Sequence, residues 1–302
     1  MNDDGRACHV QLSVAADKLL PHKGKMCCID ALVDCRENGA EAVAVLRRGH
    51  ALVGAAGRMD SFGFIELAAQ TAGAMHGWLA GENRPELAML VGVQKFAAPG
   101  VAVLGDELRI YVSVLGQLED MLSLGFAIGK DGTGNPPLAE GRLSVFVPRI
   151  DDARLHSMAR PAIPGVAIPG NRTSVPQNLP DSIALFAVDG PNIVNEDGKR
   201  TIAADFSFTL GFPGFDGHFP NNPIVPGIVQ LMAAAHTASL GRPMSVASLS
   251  RCKFLRPVVP GEKMHVLVDA EEGDTTLRCR ARINVEKVPC AEAGFILRTS
   301  PC

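Results

Sequence analysis

The sequence of 302 residues is 47% apolar and 20% charged, with a formal net charge of −3. That length and apolar content allow two ordinary domains, each with its own core. A nearly balanced charge without a long basic run argues against nucleic acid or an anionic membrane as partner.

The N-terminus, MNDDGRACHV, is acidic and has no apolar leader, so a cytoplasmic protein is expected. No run reaches the ~18 apolar residues of a membrane helix. The eight cysteines form no CxxC pair and stand at no zinc-ligand spacing. They read as small thiols in a reducing compartment, with Cys27 and Cys28 in the core. Runs at 26–34 and 40–46 read as strands joined by the turn Glu37-Asn38-Gly39. A helix is predicted over 62–79, then strands at 88–96, 107–114, 121–128 and 138–147. Next come Pro161, Pro164, Pro169, Pro176 and Pro180, with Gly165 and Gly170 between them. At about 30 residues without periodicity, this stretch is too long for a loop within one compact domain. Domains are therefore expected at 1–150 and 181–302, with 151–180 as linker. In the second half, strands are predicted at 183–188 and 201–208 and a helix at 226–240. Further strands are predicted at 245–254, 263–269, 275–283 and 294–299.

The order of elements recurs, and so do some letters. ELAAQTA (66–72) overlies MAAAHTA (232–238), Lys95-Phe96 overlies Lys253-Phe254, and GDEL (105–108) overlies GEKM (261–264). A duplication accounts for both observations. Each helix is apolar nearly all round, so each is expected to be buried within its sheet, an α+β arrangement.

The stretch GHFPNNPIVPG, Gly217 to Gly227, resembles the active-site signature of FabZ/FabA-type 3-hydroxyacyl-acyl-carrier-protein dehydratases. KFLRPVVPGE (253–262) resembles that family's following strand and turn. LPHKGKM (20–26) with Asp30 resembles its N-terminal segment, and Glu66-Leu-Ala-Ala-Gln70 its helix motif. The whole chain is similar to a tandem fusion of two such units, as in the dehydratases of aryl-polyene clusters. The resemblance implies a double hotdog, two antiparallel sheets each wrapped around a central helix. It also implies a site whose histidine and carboxylate come from opposite halves. The loop histidine maps onto His218, while the carboxylate position of the same half holds Met232. In the first half the carboxylate position holds Glu66, but the matching histidine is absent; His50 is nearby and reads as structural. Asp60-Ser61 stands where the second half has Pro226-Gly227.

The residue types suit elimination of water from a 3-hydroxyacyl thioester. His218 would take the C2 proton, and Glu66, its pKa raised by an apolar wall, would protonate the leaving hydroxyl. Gly227 opens a helix whose free N–H groups suit a thioester oxyanion, with Pro226 in the first turn and Phe219 beside the histidine. Gln70, one turn from Glu66, either orients it or satisfies a buried backbone group. His236, at the matching place in the second helix, reads as a core histidine, and His22 and His76 as structural. Arg251, Lys253 and Arg256 read as a solvated strand face rather than a docking patch. The chemistry calls for no cofactor and no metal. The implied partner is an acyl carrier protein presenting its phosphopantetheine-linked chain, to a monomer (a pseudo-dimer) or a homodimer. A hotdog thioesterase is the alternative, and a non-catalytic acyl-binding protein a third reading.

Overall fold

The computed structural model describes residues 12–81, 88–130, 136–147, 175–196, 199–219 and 222–299. The predicted linker up to residue 174, and Pro220 and Asn221 of the loop motif, lie outside those residues. In the first half, β1 (Val14–Ala15), β2 (Ala31–Arg36) and β3 (Gly39–Val45) precede helix α1 (Gly63–Ala80). After it come β4 (Met89–Ala97), β5 (Glu107–Leu118), β6 (Met121–Lys130) and β7 (Ala139–Phe146). The second half repeats the series. β8 (Ala187–Glu196) and β9 (Lys199–Ser207) precede helix α2 (Gly227–Ser239), and β10 (Met244–Phe254), β11 (Lys263–Glu272), β12 (Thr276–Val285) and β13 (Val288–Thr299) follow it.

The strands run β1-β2-β3-β5-β6-β7-β4-β10-β13-β12-β11-β9-β8 in one sheet. Outward from the β4–β10 seam the two halves repeat the same order, which is the signature of a pseudo-twofold axis. Alternating burial along β3 and β12 turns one face of each half-sheet onto its helix. The fold is the expected α+β double hotdog. The two expected sheets are continuous because β4 and β10 pair edge to edge, with Phe96 opposite Leu249 and Val93 opposite Cys252. That pairing satisfies two edges that would otherwise expose backbone groups.

Two strand expectations shift. The strand expected from residue 26 begins at Ala31, because Gly24–Met26 forms a 3-10 turn with Gly24 at φ +53°. Cys28 is buried there, but Cys27 is only half-buried. The strand expected at 183–188 is a 3-10 turn, Ile183–Phe186, following a helical turn at Leu179–Ser182. Asn178 caps that turn by accepting the Asp181 N–H at 2.9 Å, and Pro180 fits its first positions. Ile183 and Phe186 are both buried, with the Phe186 ring 5.0 Å from Phe212 and 5.7 Å from Phe208.

The segment from Leu19 to Met26 lies between α1 and the loop before α2. A Cβ on Gly77 would stand 2.4 Å from the Leu19 carbonyl oxygen, and one on Gly73 3.0 Å from Leu20 Cδ2. At the other side, the Lys23 N–H donates to the Gly217 carbonyl at 2.9 Å and the Met26 N–H to that of Asp216 at 3.2 Å. Gly217 has φ +94°, and a Cβ there would sit 1.7 Å from the Lys23 carbonyl oxygen.

In an open helix interior, glycine-to-alanine is stabilising by about 1 kcal/mol. At Gly77 the methyl meets backbone instead, so Gly77→Ala should destabilise the fold by about 1–3 kcal/mol and impair the site that the segment supports. Denaturant melts check the sign. A more stable Gly77→Ala protein would mean that the segment does not press on α1.

Candidate active site

His218 and Glu66 line one cavity of ≈ 140 Å³. Its walls are largely apolar, with Leu20, Ala69, Leu90, Val145, Ile224 and Phe254 among them. His218 follows the Gly217 contact and is 6% exposed. Its Nδ1 lies 3.1 Å from the Ile224 carbonyl oxygen. That carbonyl can only accept, so Nδ1 carries the proton and Nε2 keeps its lone pair. Burial, and to a lesser degree the neighbouring His22, hold the His218 pKa well below the usual 6.5. The ring is therefore neutral and basic at Nε2 near neutral pH.

Glu66 stands on the first turns of α1 and is 5% exposed. Burial raises its pKa above 4.5, partly opposed by a hydrogen bond from Gln70 Nε2 to Oε1 at 2.8 Å. Gln70 takes both roles that the sequence left open. Its Nε2 also donates to the Met26 carbonyl at 2.7 Å, and its Oε1 accepts the Cys28 N–H at 2.8 Å. One amide thus fixes the carboxyl and the backbone of the 24–28 turn together.

Phe219 is buried at φ +55°, a left-handed conformation that is strained for an aromatic residue. Its ring centroid is 4.3 Å from that of His218 and 5.0 Å from that of His22. Pro226 is the cap residue before Gly227, the first residue of α2. Gly227 lines the cavity, and a Cβ on it would stand 2.8 Å from Phe254 Cζ. First-turn N–H groups have no intrahelical acceptor, and the helix dipole favours negative charge beside them.

His22, expected to be structural, is a member of this site. It is 8% exposed, and its Nε2 is 3.8 Å from Glu66 Oε1. Its ring centroid is 5.2 Å from that of His218. One nitrogen of each histidine and one Glu66 oxygen lie within 4.8 Å of one another. The spacing suits proton chemistry with a small substrate group between the donors. The sequence signal for His22 was its place in the LPHKGKM segment.

Of the remaining sequence candidates, Arg256 also lines this cavity, and the others lie elsewhere. His50 has both nitrogens engaged, Nε2 with the Cys28 carbonyl at 3.1 Å and Nδ1 with the Leu52 N–H at 3.3 Å. His76 is half-buried and lines neither cavity. Arg256 is no solvated strand residue. It sits after β10 and grips the buried Glu262 with two nitrogens, at 2.8 and 3.1 Å. Arg251 and Lys253 are exposed on β10.

A second cavity of ≈ 690 Å³ occupies the position related by the pseudo-twofold. Met232 and His236 line it where the first cavity has Glu66 and Gln70. His236 is half-buried there, its ring 6.1 Å from Phe206, rather than in the core. Asp60, at the start of α1, accepts the Phe62 N–H at 2.8 Å, and burial raises its pKa to about 6. That carboxylate stands just before the helix, whose first N–H, on Gly63, donates to the Asp60 backbone carbonyl at 2.9 Å. The second position has no counterpart of Glu66, which Met232 replaces, or of His218, and is lined instead by His236, Asp60 and Asp181.

Comparison with known proteins gives one family match in each half of the chain. A family model described as ApeP dehydratase matches residues 14–157, and one described as ApeI dehydratase matches residues 194–292. A 3-hydroxyacyl-[acyl-carrier-protein] dehydratase FabZ of Bartonella bacilliformis is 32% identical over 132 residues, which is 39% of this chain and 84% of the relative. FabZ of Ruegeria sp. is 33% identical over 135 residues, 40% of this chain and 83% of the relative. Among solved structures, a putative oleoyl thioesterase from Lactobacillus plantarum has a TM-score of 0.54 at 12% identity, covering 88% of this chain and 97% of the other. A bifunctional dehydratase-cyclase domain from ambruticin biosynthesis has a TM-score of 0.50 at 16% identity, covering 90% and 95%. These two likenesses speak for the fold.

Burial of Glu66 has a thermodynamic signature. Above pH 4.5 the unfolded chain has released a proton that the fold still holds on Glu66. Stability therefore falls as pH rises from 4.5 through the raised folded value. Glu66→Gln removes that penalty. Its melting temperature should exceed that of the wild type at neutral pH, and the difference should vanish below the ordinary carboxylate range. Melts across pH check this; equal stability at neutral pH would show that burial does not hold the proton on Glu66.

Proposed function

We propose that this chain, which belongs to the family of FabZ-type 3-hydroxyacyl-[acyl-carrier-protein] dehydratases, eliminates water through His218 and Glu66. The substrate is a 3-hydroxyacyl thioester and the product the trans-2-enoyl thioester, in fatty-acid or polyene-type synthesis. The observation that carries the reading is a neutral imidazole and a carboxyl of raised pKa, one from each half, in one apolar cavity.

His218 Nε2 takes the C2 proton, and its Nδ1–H bond to Ile224 steadies the imidazolium as it forms. The electron pair moves toward the thioester oxygen, where the N–H groups at the start of α2 meet the charge. Glu66 protonates the C3 oxygen as the C–O bond breaks, and Gln70 keeps the carboxyl aimed into the cavity. The resulting carboxylate is stabilised by the same amide. Gly227 gives the thioester room beside the helix start, and Phe219 packs against the base. The carrier protein delivers the acyl chain on its phosphopantetheine arm. We read residues 1–150 and 181–302 as the two hotdog units, so that one monomeric pseudo-dimer suffices for a complete site.

A 3-hydroxyacyl carrier-protein thioester, incubated with the enzyme and read by intact mass spectrometry, should lose water and keep its thioester. His218→Ala and Glu66→Gln should each slow that loss by about 10²–10⁴-fold, with no residual rate from the second cavity. Release of the free carrier thiol without water loss would replace the dehydratase reading with a thioesterase.

A further inference from the structure

Elimination leaves the two catalytic groups in the wrong states. His218 has gained the C2 proton and Glu66 has given one up. Both are buried, and an uncompensated charge on either is costly in an apolar cavity. The next turnover requires one proton to pass from His218 to Glu66. The cavity walls are largely apolar, so few side chains there can carry a proton.

His22 stands at the third corner. Its Nε2 is 3.8 Å from Glu66 Oε1, its ring meets that of His218 edge-on at 65°, and the three donor groups lie within 4.8 Å. Its Nδ1 is buried and has no hydrogen-bond partner among the described residues. A buried ring nitrogen without a partner is unfavourable and calls for an explanation. The segment that carries it is held by contacts with no slack, Gly77 against Leu19 on one side and Gly217 against Lys23 on the other. The dehydration steps above use no atom of His22.

We propose that His22 relays the proton from His218 back to Glu66 after each elimination, resetting the site without recourse to solvent. This rests on the dehydratase reading. The N–H bond on His218 Nε2 breaks, and a ring nitrogen of His22 takes that proton on its lone pair. The imidazolium then gives one proton to the Glu66 carboxylate, forming O–H. Entry and exit both use His22 Nε2, the nitrogen 3.8 Å from Glu66 Oε1, while Nδ1–H stays as it was, so His218 and His22 end neutral in their starting tautomers and Glu66 ends as the acid. Burial, with the Lys23 charge adding to it, lowers the His22 pKa to about 4. Its imidazolium is therefore a passing state rather than a proton store. The 3.8 Å gap is long for transfer, but catalytic hydrogen bonds that are loose in an empty site tighten when substrate fills it.

A relay acts after the first elimination, and that separates it from a structural role. Rapid-quench mass spectrometry of His22→Asn with excess 3-hydroxyacyl carrier protein should show a first turnover at close to the wild-type rate. Steady turnover should then be about 100-fold slower, and added imidazole should restore it. First and later turnovers slowed alike, or neither slowed, would overturn the relay. His22→Gln is read in the same way should the asparagine protein melt well below the wild type. Absence of dehydration in the wild type would remove the dehydratase reading itself. Normal wild-type turnover with no burst in either variant would remove only the relay.

Discussion

The site depends on a backbone contact that involves no catalytic side chain. Lys23 and Gly217 approach so closely that a single Cβ would end the contact. The hydrogen bond between them joins the N-terminal segment to the loop carrying His218. On its other flank the segment presses on α1 where Gly73 and Gly77 leave room. His22, Glu66, Gln70 and His218 share a cavity because this short strap touches both halves at once. Gln70 adds to it by tying the 24–28 turn to the carboxyl. The glycines at these contacts are requirements of distance, and at Gly217 of a left-handed backbone as well.

One physical cause, removal of water, sets the proton states on both sides of the reaction. Burial lowers the His218 pKa and raises that of Glu66. A base kept neutral and a carboxyl that holds its proton to higher pH than it would in water can thus coexist. In water the same pair would sit the other way round, as imidazolium and carboxylate at mildly acidic pH. The apolar wall therefore does chemical as well as structural work, and the cost falls on the stability of the fold. In the second cavity the same desolvation acts on Asp60, but that carboxyl is engaged by the Phe62 N–H, and Met232 stands where the first cavity has Glu66.

Much of this was legible in the sequence, for physical reasons that differ from place to place. The helices and most strands follow from periodicity, because burial on one face imposes a spacing of residues. The split between His218 and Glu66 was legible because a duplicated sequence can be compared with itself. His22 was not, since its partners are supplied only by the strap across α1 and the Gly217 loop. The strand expected at 183–188 failed for a local reason. Asn178 and Pro180 start a helical turn there, and the apolar residues that follow serve its buried side. Arg256 looked like surface because its partner, Glu262, is brought back to it by the intervening loop.

The β4–β10 seam has a consequence for how the halves find each other. Were they separate chains, each would be free to pair with its own kind. A pair of second halves would bring together His218 and Met232, without Glu66, and a pair of first halves would hold Glu66 and His22 without the His218 loop. Neither combination holds a complete acid and base. Joining the halves in one polypeptide makes the mixed pairing intramolecular and independent of protein concentration. Every folded chain then brings His218 and Glu66 into one cavity, and the ratio of the two halves cannot drift with their rates of synthesis.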